Sequence, residues 1–295
     1  MNLGYACINL TLGKNITTNR TMIKKTFTQK GLDYVSDLVL QNVADLERII
    51  DWNEEMGIKL YRMSSEMFPW ATEYEFTQLK DWKKISTILK RCGDKAWLYG
   101  QRLTFHPGPF NVLTSPKESV VLNTIKDLEV HGRIMDAMGL SQTPYNAINI
   151  HCNGVYGDKN SAMDRFIKNF QRCSNSVKNR LTIENDDKAT MYSVKDLMYI
   201  HKNTGIPIVF DYHHHKFCTG DLSEQDALEL AATTWPANIK QLTHYSESKS
   251  LHENNTKLKP QAHSDYINEL PNSYGVDIDV EVEAKAKDLA IINFI

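Results

Sequence analysis

Short apolar runs rich in β-branched residues alternate with longer stretches of helical periodicity along almost the whole chain. The β-prone runs are Leu3–Ile8, Lys59–Met63, Arg102–Phe105, Ala147–Ile150, Arg180–Ile183, Pro207–Phe210, Gln241–Thr243 and Ile278–Val282. Between them, apolar positions recur at the spacing that turns one face of a helix toward a core. Val43, Leu46, Ile49 and Ile50 make one such face, stopped by Gly57, and Val121, Ile125, Leu128, Ile134, Met135 and Met138 make another, stopped by Gly139. A third face, Met163, Phe166, Ile167 and Phe170, is expected to open at Ser161 with Asp164 three residues on. Ser193 with Asp196 and Ser223 with Asp226 repeat that start signal, a hydroxyl ready to cap free backbone N–H groups. Strands separated by helices pair in parallel, and eight of them close a barrel. The pattern predicts an α/β protein, a single (β/α)8 barrel domain over residues 1–295.

Two stretches break the alternation. Thr11–Gly31 carries Lys14, Arg20, Lys24, Lys25 and Lys30, and Ser246–Pro260 carries Lys249, Lys257 and Lys259. Both follow strands, so both are read as loops over the C-terminal rim, where barrels of this kind collect their chemistry.

That rim has a consistent chemical character. His106, His151, Glu184, Asp211, His214, His244 and Glu283 each lie at or just past the end of a β-prone run. Separate strands of one barrel aim such side chains at a common pocket. Imidazole and carboxylate together suit borderline to hard divalent ions such as Mn²⁺ or Zn²⁺. Seven candidate ligands exceed the needs of one ion, so two or three ions are expected. Sites of that kind serve phosphodiester cleavage. Any one of these residues alone is better read as a hydrogen-bonded loop residue; the cluster carries the inference. Glu184, near the middle of the series, is the expected bridging carboxylate, and Glu283 is preferred to Glu281 because it lies nearer the rim. His131 and His201 fall in helical patterns and His252 in a polar loop, which leaves them as packing or surface residues.

Composition narrows the class. No apolar run approaches the ~20 residues needed to cross a bilayer, and the start MNLGYACINL has no leader-like pattern, so an intracellular protein without a membrane partner is expected. The five cysteines are odd in number and show no C-x-x-C spacing, as in a reducing compartment. With a net charge of −2, any nucleic-acid surface has to be local.

The motifs HPG (106–108), NIHCNGVYGDK (149–159), IENDD (183–187), FDYHHH (210–215), HYSE (244–247), AHSDYI (262–267) and VEAKAKD (282–288) resemble those of the ultraviolet damage endonucleases. LGYACIN (3–9) and YRMSSEMFPWA (61–71) extend the likeness over nearly the whole chain, in order. The resemblance implies a TIM barrel related to abasic-site endonucleases and xylose isomerase-like enzymes. It also implies a Mn²⁺-type cluster and nicking of double-stranded DNA immediately 5′ to photoproducts, by a monomer. The ligands implied are His106, His151, Glu184, Asp211, His214, His244, His263 and Glu283; of these His263 comes from the resemblance alone. Tyr5 and Lys159 match a tyrosine and a lysine of the family's active site.

The chain departs from the family pattern in three places. Glu73 stands where members often carry histidine, as a possible further ligand. Pro109-Phe110 replaces Gln-Tyr, the pair that probes the lesion. Leu242 replaces a lysine. Phe110, Trp70 and Tyr156 are candidates to fill the gap left by displaced bases, and Arg20, Lys24 and Lys25 to contact phosphates. An abasic-site endonuclease, a sugar isomerase and a non-catalytic DNA- or metal-binding module remain the rival readings.

Overall fold

A computed structural model describes all 295 residues. Eight parallel strands close into a barrel in sequence order, β1 to β8. They are β1 (Asn2–Ala6), β2 (Leu60–Met63), β3 (Arg102–Phe105), β4 (Ile148–His151), β5 (Leu181–Glu184), β6 (Ile208–Asp211), β7 (Gln241–Tyr245) and β8 (Ile278–Val282). Pairing of Tyr5 with Val282 closes the circle. The helices are α1 (Lys24–Glu55), α2 (Trp82–Leu98), α3 (Glu118–Met138), α4 (Lys159–Phe170), α5 (Asn175–Lys178), α6 (Val194–Thr204), α7 (Tyr212–His215), α8 (Glu224–Ala232) and α9 (Lys249–His252). No helix is long and apolar enough to cross a membrane.

The expected alternation holds, with four local corrections. Strands β4, β5 and β6 run one residue further than the apolar pattern suggests, because His151, Glu184 and Asp211 still pair in the ladder while their side chains face inward. Helix α4 opens at Asp158, whose carboxylate accepts from the N–H groups of Asn160 and Ser161, and not at Ser161. The second half of the Thr11–Gly31 segment is helical: α1 starts at Lys24, and Gly31 at φ 62° kinks it. Within Ser246–Pro260, Lys249–His252 forms the short α9. Ser193 and Ser223 cap α6 and α8 as expected, each accepting from the N–H three residues on.

The main apolar core lies between barrel and helices, in one cluster of 61 buried residues. Inside the barrel the apolar filling is a small plug near the N-terminal ends: Leu60, Ala147, Val209, Trp235 and Leu242. Gly4 permits this closure, since a Cβ there would stand 2.3 Å from the Leu60 carbonyl oxygen. Above the plug the interior turns polar. There the Thr104 hydroxyl donates to Glu281 at 3.0 Å, and Arg62 pairs with Glu281 at 2.9 Å; level with the plug itself, Arg102 and Asp279 form an ion pair across the barrel at 3.1 Å. Removing such charges from water costs several kcal/mol per ion, whereas barrels are ordinarily filled with Val, Ile and Leu. The polar residues of the upper half lead directly into the rim.

Candidate metal centre

Inward-facing positions of adjacent strands carry the cluster. His151 is paired with Glu184 in the β4–β5 register, and Asp211 with His244 in the β6–β7 register. His106 follows β3 directly and Glu283 follows β8. Beyond β6 the chain turns back at once into α7, because the Asp211 carboxylate accepts from the His214 N–H at 2.7 Å. That cap brings His214 over the barrel mouth. Asn185 locks the same corner: it exchanges two hydrogen bonds with the Asp211 backbone, and its carbonyl oxygen lies 3.0 Å from His214 Nδ1.

Glu184, wholly buried, is the focus. One carboxylate oxygen, Oε2, lies 3.0 Å from His106 Nε2, 3.1 Å from His244 Nδ1 and 3.8 Å from His151 Nε2. The other, Oε1, lies 3.2 Å from His214 Nδ1. His244 Nδ1 is also 3.5 Å from Glu283. His263 stands at the edge, with Nδ1 2.9 Å from the Glu283 carbonyl oxygen and 3.6 Å from its carboxylate. The eight ligand candidates thus share one rim. Three overlapping triads have donor atoms close enough to hold an ion: His106–His151–Glu184, His106–His244–Glu283 and Glu184–Asp211–His244. Glu184, His106 and His244 each belong to two of them.

Burial would lift the Glu184 carboxyl, but His244, His151, His106 and His214 together hold it well below the usual range. Burial pushes Asp211 up to about 6. Burial opposes charge on His244, yet Glu184, Glu281 and Glu283 drive it up to about 9. Packed this way, protons on imidazoles play the electrostatic part of a cation. The fit to divalent ions rests on a further observation. His244 Nδ1 and Nε2, His151 Nδ1, Glu184 Oε1 and Asp211 Oδ2 are all buried without an aligned hydrogen bond. Buried polar atoms are almost always satisfied, and all of these are of types that can ligate a metal, on residues gathered around Glu184. The cluster has the composition and geometry to bind metal.

Supporting residues that the sequence reading passed over complete the centre. Asn149, inward-facing on β4, donates to Glu184 Oε2 at 2.6 Å and accepts from the Thr182 hydroxyl at 2.8 Å. Asp186 lies 3.3 Å from His151 Nδ1. Arg62 on β2 pairs with Glu281 at 2.9 Å and with Glu283. Metal-ligating side chains need such partners to fix their orientation. Counting back two residues from Glu184 and His151 reaches Thr182 and Asn149 on the same face of each strand, a signal the sequence reading did not use; Arg62 had none.

Several other expected site residues lie elsewhere. Tyr5 is fully buried on the outer side of β1, its hydroxyl donating to Asn53 of α1 and accepting from Asn9, and it does not touch the cluster. Lys159 starts α4 and pairs with Asp196 at 3.0 Å. Glu73 is exposed in an open groove with Glu75, Glu129 and Arg133, away from the ligand triads. Arg20 is engaged within the protein by Asp45 at 2.6 Å and by the Asn15 carbonyl. Trp70 donates to the Met22 carbonyl and stacks on Phe27, so it ties the segment after β2 to the start of α1. By contrast Pro109 and Phe110 project from the loop after β3, with Phe110 88% exposed. Tyr156 is half exposed after β4, and Lys24 and Lys25 are exposed at the start of α1.

A closed parallel barrel with histidines and carboxylates converging at its C-terminal rim defines a (β/α)8 protein with a potential metal centre. The chain belongs to the UV-endonuclease UvdE family, whose profile matches residues 1–295. It is 37% identical over 300 residues to the UV-damage endonuclease of Schizosaccharomyces pombe, covering 98% of this chain and 49% of that one. To the Neurospora crassa UV-damage endonuclease the identity is 36%, over 88% of this chain and 41% of the relative, so the chain spans half or less of these two proteins. The UV DNA damage endonuclease of Bacillus thuringiensis subsp. konkukian is 33% identical, with 95% and 87% covered. Among solved structures, SacUVDE superposes with a TM-score of 0.86 at 30% identity, over 99% of this chain and 96% of that one. An L-ribulose 3-epimerase reaches 0.55 at 12% identity, over 85% and 81%, a likeness of fold alone.

Proposed function

We propose that this protein is a single-domain, metal-dependent DNA repair endonuclease, acting as a monomer. It nicks duplex DNA immediately 5′ to ultraviolet photoproducts and leaves a 3′-hydroxyl and a 5′-phosphate. The observation that carries this reading is Glu184 at the focus of four imidazoles, with Asp211 and Glu283 beside it, in a chain of the UvdE family. The proposed ligands are His106, His151, Glu184, Asp211, His214, His244, His263 and Glu283, with Glu184 bridging. Two or three ions of the Mn²⁺ type, when bound, supply a water acidic enough to attack at neutral pH and positive charge for the phosphate in flight.

The chain's own residues present the substrate. Phe110, projecting beside the His106 corner, fits a wedge that fills space vacated by unstacked bases. Unstacking costs a few kcal/mol, less where damage has already weakened the stack. Tyr156 offers a second aromatic face from the neighbouring loop, while Lys24 and Lys25 contact phosphates. Lys159 and Tyr5 take supporting parts, the one oriented by Asp196 and the other packing β1 against α1. All five cysteines are unpaired, in keeping with a reducing intracellular compartment.

An end-labelled duplex carrying one cyclobutane dimer, set beside an abasic and an undamaged duplex, tests the reading. A chelator-sensitive nick 5′ to the dimer is expected. Cleavage confined to the abasic duplex would assign a different lesion, and no cleavage of any would remove the nuclease reading.

A further inference from the structure

Beside the metal centre, under the loop after β7, lies a cleft of about 280 Å³ lined by Arg62, Ala262, His263, Glu283, Ala284, Lys285 and Lys287. Two of the proposed ligands thus form its inner wall. Arg62 is compensated by Glu281 and Glu283, and Glu283 by Arg62 in turn. Lys285 and Lys287 have no such partner: neither ammonium group enters an ion pair or a hydrogen bond within the protein, and the nearby Asp265 is taken by Lys249. The charge left over in the cleft is positive and belongs to these two residues.

The backbone holds both lysines in place. After β8 the chain is bonded to the loop after β7, with the Lys285 N–H donating to the Ser264 carbonyl at 3.1 Å and the Ala286 N–H to Asp265 at 2.8 Å. Lys287 adopts φ 55°, in the left-handed region that a side chain disfavours. The next residue enforces it. Asp288 is fully buried, and its carboxylate accepts from the N–H groups of Leu10 and Thr11, at 2.6 and 3.0 Å. Strained backbone positions of this kind cluster at functional sites, and this one lines the cleft.

We infer that Lys285 and Lys287 form a phosphate-binding cleft that seats a backbone phosphodiester of the substrate against the His263–Glu283 side of the metal centre. The assignment rests on the endonuclease reading for its substrate, a nucleic-acid strand, and on the cleft alone for the anion. Two ammonium groups acting as point charges on one phosphate's oxygens position a strand without reading its bases.

The test uses wild type, the K285Q/K287Q double variant and the charge-preserving K285R/K287R. Metal content and melting temperature are measured first and are expected to match in all three. In Ca²⁺, binding of dimer-containing and undamaged duplexes is followed by anisotropy across a salt series. The Gln pair should weaken both by about ten-fold and lower the salt slope by about 1 per lysine, and the Arg pair should restore both. Titration of inorganic phosphate into the metal-free proteins reads the cleft without any nuclease step, and the Gln pair should lose the binding shown by wild type. If wild type nicks the dimer duplex while the Gln pair keeps wild-type affinity and salt slope, the cleft assignment falls and the endonuclease reading stands. If no duplex is nicked, the endonuclease reading falls. Phosphate binding lost in the Gln pair then upholds the cleft, and equal binding overturns it.

Discussion

Phe110 and Asn149 illustrate how differently single residues are placed around one centre. Phe110 is 88% exposed, so its ring is not held by packing under its own loop. Phe110→Ala should therefore leave the melting temperature and metal content unchanged. Nicking of a weakly distorting cyclobutane dimer should fall more than nicking of a strongly distorting photoproduct, whose unstacking cost is already partly met. Equal loss on both substrates, measured by single-turnover cleavage, would argue against a wedge. Asn149 is buried and fixes Glu184 through a 2.6 Å hydrogen bond. Removal of such a supporting partner ordinarily costs about 10–100-fold in metal affinity or activity. Asn149→Ala should show that loss in a metal titration, and wild-type affinity would leave Glu184 oriented by its imidazoles alone.

At the scale of elements, the segment between β1 and the Gly31 kink divides its basic residues between two tasks. Arg20 ties the loop to α1 through Asp45, which is 5% exposed. Lys24 and Lys25 stand free at the helix start. Arg20→Ala should lower unfolding free energy by about 1–3 kcal/mol, the range for a lost charge-assisted hydrogen bond, with DNA affinity little changed. Replacing Lys24 and Lys25 together with Gln should do the reverse. Stability should hold, while affinity for damaged and undamaged duplexes falls alike and the salt slope drops by about 1 per lysine. An unchanged slope would place the DNA path away from α1.

For the molecule as a whole, the buried rim cluster predicts a coupling of folding to metal binding. The carboxylates and imidazoles gathered at the rim, Glu184, Glu281 and His244 among them, are wholly buried, and burial of such groups costs stability. A ligand that binds only the folded state adds stability by mass action. Chelation should accordingly lower the melting temperature and abolish nicking, and Mn²⁺ should restore both. Elemental analysis that found less than one divalent ion per chain in fully active enzyme would refute a metal-dependent mechanism.

How much was legible in the chain follows from what each feature depends on. Alternating β-prone and helical periods are local, and they sufficed for eight strands, their order and the barrel. Strand ends are local too, which is why His106, His151, Glu184, Asp211, His214, His244 and Glu283 stand out in the sequence. His263 required the family resemblance, because a histidine in an irregular loop has no period to announce it; its pairing with Ser248 and the bond from the Lys285 N–H to the Ser264 carbonyl set it against Glu283. Side-chain direction and pairing across the barrel were beyond the sequence. A tyrosine on β1 reads equally as inward or outward until the closure of β1 on β8 and the packing of α1 turn it to Asn53. Arg20 looks like a free cation until Asp45, 25 residues away, is found to hold it. Arg62 and Asn149 owe their roles to neighbours on other strands. Periodicity is written in adjacent residues, whereas pairing of charges is decided by which distant strands the barrel brings face to face.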